Sequence, residues 1–212
     1  MPIGISARHC QDSFMYVNGK KLEVVDHFEY LGRVLNNQAD DTAAVLHRIS
    51  KGWQIFQERK AIITHRHISM QSKKKTIDTY ILPSVLYASE TITWSSTLLE
   101  KMEVFQNHLM RWMTGHKLND RVPITTLKSR TQLDNISREV KKRKATWYGH
   151  MRRSSLPAKT IVEGYAPGFR RRGRPSRRWI DDIVEWSQLS VSQLAPITYQ
   201  RKEWRRLCHE LY

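Results

Sequence analysis

The sequence predicts a mostly α-helical protein with a small β-hairpin near its N-terminal end and a basic helical C-terminal region. Three observations carry that prediction. The dipeptide Asn18-Gly19 sits between two short β-prone runs, apolar residues recur at helical spacing from residue 40 onward, and Lys and Arg crowd into the last third of the chain. A length of 212 residues suits one or two folding units. A hydrophobic fraction of 40%, with seven Trp, eight Tyr and five Phe, is enough to build a core.

Residues 14–17 and 20–25 flank Asn18-Gly19, which accepts the positive φ angles of a type I′ turn, so they read as a hairpin. Residues 28–35 read as a third strand with Gly32 as a bulge or close-approach point. An isolated hairpin is marginal in water, so residues 1–35 are expected to be the least ordered part unless they pack on the first helix. Asp40 and Asp41 can cap a helix that places Val45, Ile49, Trp53 and Phe56 on one face. A second helix starts at Ser69 and passes Ile77, Tyr80 and Ile81 before Pro83 breaks or kinks it. A third carries Leu99, Met102, Phe105, Leu109 and Trp112 as its apolar stripe, with a Thr97–Glu100 capping box and Gly115 as its stop. That reading places Gln106 and Asn107 on the outer face.

Asn135 can cap a fourth helix with Ile136, Val140, Trp147 and Met151 on its apolar side. Residues 154–178 read as irregular. Pro175 suits the first turn of a helix containing Trp179, Ile183 and Trp186, and Thr198 can cap a last helix with Trp204, Leu207 and Leu211.

Charge is the dominant compositional fact. Thirty-six Lys and Arg against twenty Asp and Glu give a formal net charge of +16. The segment 135–180 holds fourteen basic and two acidic residues, three quarters of that excess. Such density suits a polyanionic partner, and nucleic acid is the commonest one inside cells. No run approaches the roughly 18 apolar residues of a membrane helix, and the N-terminus lacks a secretory pattern. Cys10 and Cys208 form no CxxC pair. The expected setting is therefore intracellular, in the nucleus or cytoplasm, with RNA or DNA as partner and no membrane.

Signals for stand-alone chemistry are absent. The pairs Asp40-Asp41 and Asp181-Asp182 each open a helix, so capping explains them better than a metal site. His65 and His67 lack further ligands nearby and read as a solvated loop. No GxSxG elbow occurs. Trp147, Tyr148 and Trp179 interleave with the charge, but helical spacing assigns the two tryptophans to packing. The run Arg170-Arg171-Arg172-Gly173-Arg174-Pro175 contains Arg-Gly-Arg-Pro, which resembles an AT-hook core that lies along a narrow minor groove. Phosphate-backbone binding is the broader expectation for the tract.

The segments Phe28–Gly32, Leu86–Glu90, Trp147–Arg153 and Gly173–Asp182 together resemble, in order along the chain, motifs of non-LTR retrotransposon reverse transcriptases. Phe28-Glu29-Tyr30-Leu31-Gly32 resembles the F-x-Y-L-G that follows the family's catalytic palm, and Leu86-Tyr87-Ala88-Ser89-Glu90 its thumb L-Y-G-S-E. Trp147-Tyr148-Gly149-His150-Met151-Arg152-Arg153 is similar to W-x-G-H-x-x-R. The segment from Gly173 to Asp182 resembles G-R-P-x-x-R-W-x-D-x. Ala88 stands where the family has glycine, and the tryptophan that usually follows Ser-Glu-Thr closely is displaced to Trp94.

The resemblance implies a primer-grip β segment at the palm edge (residues 1–39), a helical thumb-like bundle (40–116) and a basic C-terminal region (117–212). The family enzyme is an RNA-directed DNA polymerase that uses Mg²⁺. Its aromatic-x-Asp-Asp motif lies upstream of F-x-Y-L-G and is not found here, so no catalytic residue, metal ligand or cofactor is assigned to this chain, and an upstream palm becomes an expected partner. The nucleic-acid-binding residues expected are Tyr30, Leu31, Gly32, Arg138, Lys141, Lys142, Lys144, Arg152, Arg153, Arg170, Arg171, Arg172, Arg174, Arg177 and Arg178. The alternative is a domesticated nucleic-acid-binding protein anchored by an AT-hook-like arginine tract.

Overall fold

The computed structural model describes residues 16–36, 41–154, 158–164 and 177–210. Strands β1 (Tyr16–Val17) and β2 (Lys20–Lys21) pair antiparallel around Asn18 at φ 51° and Gly19 at φ 74°, the turn expected from Asn-Gly. Residues 28–35 depart from the single strand expected. They form a second hairpin, β3 (His27–Tyr30) against β4 (Arg33–Asn36), with Phe28 opposite Leu35. Leu31 at φ 48° and Gly32 at φ 77° make its turn, so the glycine reverses the chain where a bulge was expected. A leucine rarely adopts that conformation, and neighbours hold it there. Tyr87 Oη donates to Leu31 O over 3.2 Å, and the Arg48 guanidinium donates to Gly32 O.

Helix α1 (Thr42–Thr64) buries Val45, Phe56 and Ile63, with Ile49 and Trp53 partly buried against the same core. Gly52 lies mid-helix, where a Cβ would meet Val85 Cγ2 at 2.4 Å and Phe105 Cζ at 2.8 Å. Close helix packing therefore explains a glycine that helix propensity disfavours. Ser69 caps α2 (Met70–Thr76) by accepting from the Ser72 N–H at 3.2 Å. A π-helical turn, Ile77–Ile81, leads into the short α3 (Leu82–Val85). Pro83 lacks an N–H, and the chain widens just before it, with Leu82 N–H donating to Ile77 O. Ala88 then takes φ 56° ahead of a 3₁₀ turn at Ser89–Thr91.

Helix α4 (Ser96–Thr114) begins at Ser95, whose hydroxyl accepts from Leu98 N–H at 3.3 Å, and stops at Gly115 with φ 72°. Thr97 lies inside the helix, so the expected Thr97–Glu100 box does not open it. Met102, Phe105 and Leu109 are buried as expected, but Leu98, Met110 and Met113 complete the buried face while Trp112 remains exposed. Gln106 corrects the outer-face reading. It is 2% exposed and bridges two backbone groups, donating to Asp134 O at 2.5 Å and accepting from Ile136 N–H at 3.1 Å.

After α5 (Ile124–Thr131), Asn135 caps α6 (Ile136–Arg153) by accepting from Ser137 and Arg138 N–H groups. Helix α7 (Ala158–Glu163) occupies part of the stretch read as irregular. Helix α8 (Trp179–Ser187) follows its N-cap Arg178, later than the Pro175 start expected. Helix α9 (Val191–Tyr199) is capped by Ser190, and α10 (Arg201–Glu210) follows. Thr198, expected to cap the last helix, instead lies inside α9, buried, with its hydroxyl donating to Ala195 O at 2.7 Å.

Two apolar cores result. One gathers Val45, Phe56, Ile81, Met102, Phe105, Leu109 and Val140 from α1 to the first half of α6. The other gathers Ala145, Tyr148, Ile180, Leu194 and Trp204 from the second half of α6 to α10. Helix α6 serves both, and Trp186 packs against both.

Candidate nucleic-acid interface

The four motif-like segments, far apart in sequence, form one connected chain of contacts. Tyr87 of the second segment bonds Leu31 of the first, and Arg48 stacks over the Tyr87 ring at 4.4 Å while reaching Gly32 O. Trp94 Nε1 donates to Ser89 O at 2.9 Å, and Trp179 Nε1 of the fourth segment donates to Glu90 O at 2.7 Å. Trp179 also meets Trp147 edge-on, with ring centroids 5.2 Å apart. Gly149 lets α10 lie against α6, because a Cβ there would stand 2.1 Å from Trp204 Nε1. These residues hold the second half of the chain onto the first.

Asp182 is the centre of that junction and corrects the capping expectation. Fully buried, it receives Lys144 Nζ, Arg177 Nε at 2.7 Å and Trp94 N–H at 2.7 Å. Lys144 is equally buried and donates to Ile92 O at 2.7 Å. Burial holds its pKa down to about 8 against the pull of Asp182. Asp41 departs from capping in the same way: its carboxylate takes the Arg33 guanidinium and Thr93 N–H at 2.7 Å and leaves its own helix uncapped. Asp181 keeps the expected role, accepting from Arg178 N–H at 2.7 Å.

The expected nucleic-acid-binding residues divide accordingly. Lys144 and Arg152 are buried in ion pairs, the latter with Glu163, so neither presents its charge to solvent. Arg177 pairs with Asp182 and with Glu185 at 2.6 Å, and Arg178 with Asp181 at 3.0 Å. Arg153 Nη1 donates to Thr198 O at 2.5 Å. Arg138 and Lys142 are exposed, Lys142 standing 4.0 Å from Glu139, and Lys141 lies 5.6 Å from the Trp186 ring. Tyr30 and Leu31 are exposed on the second hairpin's turn. Arg170, Arg171, Arg172 and Arg174 lie outside the described residues, as do Asp40 and Cys10.

Reactive groups are quiet. Tyr148, assigned by spacing to neither core nor surface, is fully buried and donates to Glu163 at 2.8 Å, so its phenol is held well above the usual range. Cys208 is a buried free thiol whose pKa burial pushes up to about 11, which keeps it protonated and a poor nucleophile. Asp41 and Asp182 do not fit Mg²⁺, because Arg33 occupies the first and Lys144 and Arg177 the second. Among the described residues no three His, Cys, Asp or Glu side chains gather as a metal site, and no helix is long and apolar enough to cross a membrane.

The basic residues expected at the interface end at Arg178. The structure brings Arg201 and Arg205 of α10 against α6. Their signal was the i, i+4 spacing, masked because the acids of α8 cancel them in a segment total.

Against that geometry, one comparison is informative. The chain aligns over 197 residues, at 26% identity, with a transposon-derived protein of Caenorhabditis elegans. The two are distant homologues. The alignment covers 87% of this chain and 70% of that protein, so it spans both cores and not a single motif. No protein-family model matches the chain, and no solved structure does.

Proposed function

We propose that this chain is the primer-grip, thumb and basic C-terminal region of a non-LTR retrotransposon reverse transcriptase, and that it binds nucleic acid without performing the chemistry. The observation that carries the reading is the junction itself. The four segments resembling that family, spread over residues 28–182, are linked in sequence by two hydrogen bonds, Tyr87 to Leu31 and Trp179 to Glu90, and by the Trp147–Trp179 ring contact. Segments matched by chance have no reason to meet. Homology to a transposon-derived protein supports the mobile-element origin, and the basic excess of residues 135–180 supports a polyanionic partner.

Binding and extension assays test the proposal together. The purified chain retains a labelled template–primer, and log K falls with log salt by about 0.9 per phosphate contacted on duplex. Replacing Arg171, Arg172 and Arg174 by Ala reduces that slope by about one unit per lost contact, for all sequences alike. Loss confined to A·T-rich duplex would instead assign the tract to minor-groove reading. Primer extension is absent with Mg²⁺ or Mn²⁺. Template-dependent incorporation that survives repurification, or a salt slope indifferent to the three arginines, defeats the proposal.

A further inference from the structure

Helices α6 and α10 enclose a cleft of about 390 Å³ with an unusual lining. Its walls carry Lys142, His150 and Arg153 from α6 and Arg201, Arg205 and His209 from α10. No Asp or Glu is among the lining residues. Elsewhere in this half of the chain, cations meet carboxylates closely: Arg143 with Glu139 at 3.0 Å, Arg152 with Glu163, Arg177 with Asp182 and Glu185, Arg178 with Asp181, whereas of the cleft's cations Lys142 stands 4.0 Å from Glu139, which lies outside the lining. Four formal positive charges gathered in one concavity repel one another, and an anion seated among them relieves that cost.

The floor strengthens the effect. Trp204 and Cys208 close it at 4% and 6% exposure, and the Trp204 indole N–H is already spent on Ala145 O at 3.2 Å. An apolar floor beneath cationic walls keeps water from screening the charges as fully as it does on an open face. Arg153 uses one N–H on Thr198 O, which fixes the guanidinium and leaves further donors of its fork.

The surroundings indicate what kind of anion. Arg138, Lys142, Thr146, His150 and Arg153 follow one another at helical spacing along the outer side of α6, and the first four are exposed. At 1.5 Å per residue this stripe spans about 22 Å, and every member after Arg138 lines the cleft. A track of that length suits a polymer of phosphates, and a slot of this volume admits one strand. We propose that the α6–α10 cleft is a binding site for the phosphodiester backbone of a single nucleic-acid strand. The site is built from residues other than those of the arginine tract, and it rests on the nucleic-acid reading given above.

Fluorescence anisotropy of a short labelled single strand on the full chain tests it. Arg201→Glu/Arg205→Glu should weaken binding about 25-fold at about 0.1 M salt, since two contacts at about 0.7 each lower the salt slope by about 1.4. Arg201→Gln/Arg205→Gln, gentler on the fold, should lose the same slope, with far-UV circular dichroism unchanged for both. Arg171→Ala/Arg172→Ala/Arg174→Ala is measured alongside. If that variant weakens binding while both cleft variants match the wild type, the cleft proposal falls and the general reading stands. If only the cleft variants weaken it, the cleft stands and the role given to the tract falls. A wild-type chain that binds no strand, or that binds anionic-lipid vesicles through Arg201 and Arg205 in preference to nucleic acid, overturns the cleft proposal outright.

Discussion

Replacing Asp182 by Asn should destabilise the protein severely, and in a pH-dependent way whose sign the structure dictates. The carboxylate is fully buried and neutralises Lys144, also fully buried, while receiving Arg177 and the Trp94 N–H. Asparagine keeps the shape and one acceptor but removes the charge. Breaking a buried pair by removing one partner costs about 3–5 kcal/mol. For a chain of this size that corresponds to a fall in Tm of roughly 6–20 °C. Lys144 already has a folded-state pKa lowered to about 8 from 10.5. The unfolded chain therefore holds more protons between those values, and the Lys144 contribution to stability rises with pH across that window. Asp182 is the chief influence raising the Lys144 pKa, so its loss lowers that pKa further and extends the window downward. The damage in the variant should be greatest near pH 6 and shrink toward pH 9. Urea unfolding followed by tryptophan fluorescence at several pH values measures both quantities. A loss below about 1 kcal/mol, or one that grows with pH, would refute the hub assignment.

Three further perturbations probe the packing. Gln106→Ala should orphan the buried Ile136 N–H, costing about 1–3 kcal/mol, while leaving Asp134 O to solvent, whereas Asn107→Ala should be near neutral in the same denaturation assay. Ala88→Gly should raise stability by about 1 kcal/mol, because residue 88 sits at φ 56° where a Cβ is strained; an unchanged or lower Tm contradicts this. Gly149→Ala should cost about 1–3 kcal/mol by driving a Cβ against the Trp204 indole, visible as detachment of α10 in hydrogen exchange; a neutral effect would mean the helices are not in contact there.

What the sequence determined by itself was local. Helical periodicity located α1, α4 and α6, Asn18-Gly19 located the first hairpin turn, and Gly115 located a helix stop, because each depends on residues a few positions apart. The second hairpin escaped because Leu31 adopts positive φ only with Tyr87 and Arg48 holding its turn from distant positions. The candidate site was legible in its motifs and its total charge, but not in its division of labour. Lys144 and Arg138 look alike in a basic run, yet six residues apart on one helix they are a buried ion pair and an exposed cation. Burial is set by whichever element packs opposite, here α8 carrying Asp182. The α6–α10 cleft likewise exists only because Gly149 admits Trp204. Charge density is a property of composition, but which charges remain available to a ligand is decided where distant segments meet.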